Sequence, residues 1–295
     1  MAHSSADLRR QIDSASDLQA VVRTMKALAA SSINQYEQAV QALAHYAHSV
    51  ELGLSVCLHD VASNHTPGSA DIAATAAPPG IVVFGSDQGL VGQFNDVVAE
   101  HALQALSDSS ARPLVWAVGA RVQARLTDAG LTLEGGFGVP SSVQAITLLV
   151  GQILAISEAH ISRGEISGLS LFYNQPAAAT TYVPTRQHLL PLDAHWCQQL
   201  AERHWPTYNL PEVLGMQTTT LKALIREYLF VSLFRACAES LASENASRLA
   251  AMQRADTNIG ERLEALNMTF HSERQGAIDE ELFDVIAGFE ALPRH

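Results

Sequence analysis

The sequence predicts an α/β protein: an antiparallel coiled coil of long N- and C-terminal helices plus a mostly parallel sheet domain between them. Three observations predict it. From Leu8 to Leu54 there is no proline, and Gly53 is the only glycine. From Glu212 to Leu292 there is again no proline, and the only glycines are Gly215, Gly260, Gly276 and Gly288. Between these ends, short apolar runs alternate with helical patterns, the mark of strand–helix–strand units. Helices that long cannot fold back inside a compact domain, so they are expected to run together as a rod.

The N-terminal helix carries apolar or small residues at Leu8, Ile12, Ala15, Leu18, Val22, Met25, Ala29, Ile33, Tyr36, Val40, Leu43, Ala47, Val50 and Leu54. The steps average about 3.5 residues, the period of a left-handed coiled-coil seam. Several of these positions are alanine, which lets a partner helix approach closely. At ~1.5 Å per residue the helix would span roughly 75 Å. Ser4 or Ser5 can cap its start.

Residues 63–79, rich in Ala, Ser, Pro and Thr, read as a flexible linker. Gly80–Gly85 reads as a buried strand, Phe94–Leu106 as a helix, Pro113–Gly119 as a second strand and Arg121–Ala129 as a helix. Gly135, Gly136 and Gly138 mark a turn. Ser141–Arg163 is a long helix capped by Ser141 or Ser142. Gly168–Tyr173 and Thr180–Leu190 read as strands, the second at an edge because Pro184 cannot donate to a ladder. This alternation gives the sheet domain a Rossmann-like, mostly parallel order.

The C-terminal rod is expected from near Pro211. Its seam runs through Leu221, Leu224, Tyr228, Val231, Phe234, Ala238 and Leu241, then Leu249, Met252, Ile259, Leu263, Leu266 and Phe270. Unbroken, it would reach on the order of 110 Å and outlast its N-terminal partner. The division is therefore residues 1–62 as the N-terminal coiled-coil helix, 63–79 as linker, 80–208 as α/β domain and 209–295 as the C-terminal coiled-coil helix.

Composition narrows the function. The 295 residues carry a net charge of −12, and Lys26 and Lys222 are the only lysines, a poor composition for gripping nucleic acid. Cys57, Cys197 and Cys237 are far apart and odd in number, which argues against a disulfide framework or a zinc site and fits a reducing compartment. The first residues lack an apolar leader segment, and no window approaches about 18 uninterrupted apolar residues, so no secretory leader and no direct bilayer insertion are expected.

Motifs that would carry chemistry are incomplete. GSDQGLVGQFN at Gly85–Asn95 stands between a strand and a helix, where a phosphate loop would stand. It lacks the G-K-[S/T] ending and the G-x-G-x-x-G order, so it reads as a tight turn and helix start. His45 and His48 share a helix face with no carboxylate or thiol to complete a ligand set. No G-x-S-x-G elbow occurs. Glu280, Glu281 and Asp284 read as a solvated acidic face.

Three segments resemble the gamma subunit of F-type rotary ATP synthases. LRRQIDSASDLQAVVRTMKALAASSI is similar to that family's N-terminal helix with its I-T-K-A-M-x-x-V-A-A-S-K core. GSDQGLVGQFN is similar to its S-D-R-G-L-C-G-x-F-N loop. Leu241–Leu292 follows the family's closing helix, and Leu169–Leu192 fits its Y-N-x-F…Q-L-L-P-L region. The resemblance implies a central-stalk rotor with no catalytic residues, cofactor or metal of its own. It couples ion flow through the membrane ring to ATP synthesis or hydrolysis on partner subunits. Implied partners are the alpha and beta subunits of the catalytic ring, the epsilon subunit and the membrane c-ring. The implied location is peripheral, on the cytoplasmic face of the bacterial inner membrane.

By motif, the resemblance implies partner contacts at Met25, Lys26, Thr257, Asn258, Arg274, Gln275 and Tyr208. Met25 matches the family methionine, Arg274–Gln275 the R-Q pair that acts as a catch against a catalytic-subunit loop, and Tyr208 the tyrosines at the foot. Lys26 replaces an acidic residue, Ser32 a lysine, and Gln88 and Val91 an arginine and a cysteine. These departures make the shaft less positive and suggest a divergent, alternate-synthase branch. The other readings are a free coiled-coil scaffold with an α/β head, which predicts a homodimer, and a Rossmann-like small-molecule enzyme, which predicts ligand binding by the middle domain.

Overall fold

The structure, a computed structural model, describes residues 5–64, 77–107, 112–178, 181–203, 205–209, 211–213 and 216–290. The elements are α1 (Ser5–Asn64), β1 (Gly80–Phe84), α2 (Phe94–Ser107), β2 (Leu114–Val118), α3 (Ala120–Asp128), β3 (Gly135–Phe137), α4 (Val143–Ser162), β4 (Leu169–Gln175), β5 (Val183–Leu190), α5 (Ala194–Ala201) and α6 (Gln217–Glu290). Of the expected linker, residues 65–76 lie outside the described residues, and α1 itself continues to Asn64.

The chain divides into two compact units, both of which α1 and α6 traverse. The larger runs from Ala30 to Ser247 and the smaller joins residues up to Ala29 with those from Arg248.

The larger unit is built on a five-stranded sheet of order β3-β2-β1-β4-β5. β1 pairs in parallel with β2 and β4, and β2 with β3, while β5 closes the edge antiparallel to β4. Alternation along the strands sends side chains to two cores. Ile81, Val83, Val115, Ala117 and Phe172 meet Val98 and Ala102 of α2 and Val122 and Leu126 of α3. Val82, Phe84, Trp116, Val118, Leu169, Leu171 and Tyr173 face the other way, in one cluster with Ile146, Val150 and Ile153 of α4, Tyr36 of α1, and Leu229, Leu233 and Cys237 of α6. The terminal helices thus supply part of the sheet domain's core. α4 is long and apolar enough to cross a membrane by length and composition, but it buries Ile146, Leu149, Val150, Ile153 and Leu154 within this unit. Within it α1 and α6 run antiparallel: Tyr46 Oη donates to Glu227 Oε2 at 2.6 Å, and Gln217 Nε2 to the Cys57 carbonyl at 3.3 Å.

Three local expectations are corrected. Gly135–Phe137 is a short edge strand, not a turn, because its backbone pairs in parallel with Trp116–Val118 of β2. Residues 194–201 form an unforeseen helix, started by Asp193, whose Oδ1 accepts from His195 N at 2.8 Å. It packs Trp196 against Tyr228 of α6, ring centroids 4.7 Å apart, and places Leu200 with Val50 and Leu54 of α1. The C-terminal rod starts at Gln217 and the edge strand at Val183, each later than expected.

The smaller unit is an antiparallel helix pair. Leu8, Ala29, Met252 and Leu266 are its buried apolar residues. Leu18, expected in the seam, is 59 % exposed. Gln19 is half-buried instead and faces Gly260 of the opposite helix.

Candidate partner-contact surface

The smaller unit holds six of the seven implied contact residues, four of them in the turns around Asp256. Lys26 Nζ donates to Asp256 Oδ2 at 3.0 Å, and Arg23 Nε donates to Asp256 Oδ1 at 3.4 Å. Met25 is half-buried beside Lys26, while Thr257 and Asn258 are exposed beside Asp256. Thr257 Oγ1 donates back to the Gln253 carbonyl at 3.2 Å. The Lys26 hydrogen bond holds the Asp256 carboxyl below the usual carboxylate range against the upward push of burial, and the Lys26 and Arg23 charges add to that lowering. Lys26 therefore engages a carboxylate of its own chain. Neither Arg23 nor Asp256 was singled out from the sequence, although R-T-M-K and A-D-T-N occupy corresponding turns of the two helices.

Arg274 and Gln275 stand farther along α6, and every residue from Arg274 to Ile286 is exposed. This stretch is far from uniformly polar: Ile278, Leu282, Phe283, Val285 and Ile286 are 47–68 % exposed. Tyr208 belongs to the larger unit, fully exposed in the turn after α5, where Trp205 Nε1 donates to Thr207 Oγ1 at 3.0 Å. His45 and His48 are exposed on α1.

The Gly85–Asn95 loop uses its polar groups on the protein itself. Asp87 accepts from Ala120 N at 2.8 Å through Oδ1 and from Val139 N at 2.9 Å through Oδ2. Asn95 accepts from Ser86 N at 2.9 Å and donates to Ser86 Oγ at 2.8 Å. Ser247 Oγ of α6 donates to the Val91 carbonyl at 2.6 Å. Leu90 takes a left-handed conformation, φ 63°, and stays exposed. The loop is a turn that ties β1, α3 and α6 together, and its carboxylate is taken up by two backbone N–H groups of the protein itself.

A family model described as ATP synthase matches residues 4–292. The curated relatives over that span are gamma chains: the "ATP synthase gamma chain" of Hyphomonas neptunium is 28% identical over 297 residues, covering 97% of this chain and 98% of that protein. The chain belongs to the ATP synthase gamma-chain family. The gamma chain of Methylococcus capsulatus is 26% identical over 298 residues, with the same coverage. The fold agrees with that of chains in solved ATP synthase structures. A chain in the central stalk and c-ring structure of the Tetrahymena thermophila mitochondrial ATP synthase has a TM-score of 0.56 at 23% identity, covering 80% of this chain and 99% of that one. One from the Euglena gracilis mitochondrial enzyme has a TM-score of 0.59 at 16% identity, covering 97% and 94%. Among gamma chains the role is that of a central-stalk subunit of the rotary ATP synthase, and this reading stands over the free coiled-coil scaffold.

Proposed function

We propose that this gamma chain is an axle that turns inside a ring of alternating alpha and beta subunits and carries no catalytic site of its own. Chemistry takes place on the ring, and the axle presents different faces to equivalent sites so that their nucleotide affinities change in sequence. The observation that carries this reading is the uncovered end of α6. Five large apolar side chains between Ile278 and Ile286 face outward on a helix with no covering neighbour among the described residues. Exposed apolar patches of this kind mark interaction sites; with about 3.6 residues per turn the five share one side of the helix, opposite Glu280, Glu281 and Asp284, as a stripe for a partner surface to cover.

Met25, Thr257, Asn258, Arg274 and Gln275 are the proposed ring contacts, with Arg274 as the cationic member of the catch. Tyr208, at the foot, is the proposed contact toward the membrane c-ring, and the sheet domain, residues 80–208, carries the epsilon subunit. The complex would lie on the cytoplasmic face of the bacterial inner membrane. Native mass measurement of the complex purified through a tag on this chain tests the reading. One copy in a larger hetero-oligomer is expected; a homodimer, or the chain alone, would overturn it.

A further inference from the structure

Arg23 and Lys26 stand three residues apart on α1 and converge on one carboxylate, Asp256, across the helix pair. The Asp256 side chain is 19 % exposed and that of Lys26 35 %. The apolar residues Leu8, Ala29, Met252 and Leu266 already hold the two helices together in this unit, and a partly exposed ion pair adds little to such a pairing. Its larger effect is on what the shaft shows outward, in the same turns as Met25, Thr257 and Asn258.

We propose that Asp256 is a positioning residue that masks the Arg23 and Lys26 charges, so that the shaft moves past carboxylates on the surrounding ring without being held by them. This role rests on the rotor reading above. Two cations and one carboxylate leave a single net positive charge: Lys26 is held at 3.0 Å, and Arg23, whose side chain is 63 % exposed, is drawn to the same carboxylate at 3.4 Å. Without Asp256, a long lysine and a long arginine at neighbouring positions are free to reach out, and carboxylates are the groups they would capture. Each capture lengthens the dwell at one angular position.

The test is the ATP hydrolysis rate of the complete complex, assembled with its own partner subunits, over a range of ionic strength. Asp256→Asn is expected to slow hydrolysis about two- to fivefold at low salt, the range of exposed ion pairs, and to recover as salt screens the captured charges. Asp256→Glu, which keeps the carboxylate, is expected to run near the natural rate. Arg23→Gln/Lys26→Gln breaks the same ion pairs but leaves no cation to capture, so it should lack the salt-dependent slowing of Asp256→Asn, and adding it to Asp256→Asn should remove that slowing at low salt. An unchanged Asp256→Asn overturns the proposal. So does a Gln/Gln variant as slow as Asp256→Asn, or a triple variant that stays slow or fails to assemble, because these outcomes mean that the bond matters only for helix pairing. Failure of the natural chain itself to enter a ring complex removes the rotor reading instead, and shows before any variant is made.

Discussion

Ser247 on α6 and Val91 in the loop after β1 are joined by a 2.6 Å hydrogen bond from the Ser247 hydroxyl to the Val91 carbonyl. The same hydroxyl is hydrogen-bonded with Tyr182, and nearby Asn174 Nδ2 donates to the Phe94 carbonyl at 2.8 Å. The long helix is therefore tied to the sheet domain by polar bonds as well as by the apolar core. For a part that must pass torque from body to shaft, directional bonds at this joint resist sliding in a way that apolar contact alone does not.

Ser247→Ala should loosen this joint. Ser247 is buried, and its loss leaves the Val91 carbonyl without its donor, at a cost of about 1–3 kcal/mol. Urea unfolding followed by tryptophan fluorescence of the full chain should show a lower midpoint, and hydrogen exchange should rise in residues 86–95. An unchanged midpoint and exchange pattern would mean that the bond is not part of the joint.

The three thiols should differ sharply in reactivity. Cys57 and Cys237 are buried, and burial, with the Glu244 charge, pushes the Cys237 thiol far above its ordinary value. Cys197 is only half-buried, and burial with the nearby Asp193 charge raises its thiol as well. Alkylation of the native chain read by mass spectrometry should modify Cys197 alone, slowly at neutral pH and faster as pH rises. Rapid labelling of Cys237 would contradict the packing of α6 into the core.

Asp256 gives a pH signature of known sign. Its folded-state pKa is depressed, so the stabilisation it brings is present above the ordinary carboxylate value and is lost as pH falls through the folded value. The difference in urea midpoint between the natural chain and Asp256→Asn should be present at neutral pH and vanish in acid below the carboxylate range. A difference that persists or grows in acid would mean that the ion pairs do not form.

Much of this was legible in the sequence because it depended on period. The seam positions of α6 from Leu221 to Phe270 are all at least partly buried, and those of α1 are too, except Leu18. Leu18 failed because Gln19, not Leu18, faces the opposite helix at Gly260, and a one-helix pattern cannot see its partner's surface. The edge strand at Gly135–Phe137 was read as a turn because glycine preference is local while pairing to β2 is not. The same blindness hid Asp256: Lys26 looks outward-facing until the opposite helix supplies its carboxylate. The fold was thus readable from each helix alone, whereas the contact surface needed the register between two of them.

Arg274→Ala should weaken coupling without preventing assembly. Arg274 is exposed on the uncovered part of α6, and loss of a charged hydrogen bond to a partner costs about 1.5–3 kcal/mol. The number of ions pumped per ATP hydrolysed in sealed vesicles should fall while hydrolysis continues. An unchanged ratio in a normally assembled complex would remove Arg274 from the catch.

The most direct test takes the alpha–beta ring with this chain but without the membrane c-ring, fixes the ring to a surface and attaches a gold rod to this chain through Tyr208→Cys, with Cys197 replaced by serine. Addition of ATP is predicted to turn the rod continuously in one direction. A rod that stays fixed while the ring hydrolyses ATP at its usual rate would contradict a turning shaft.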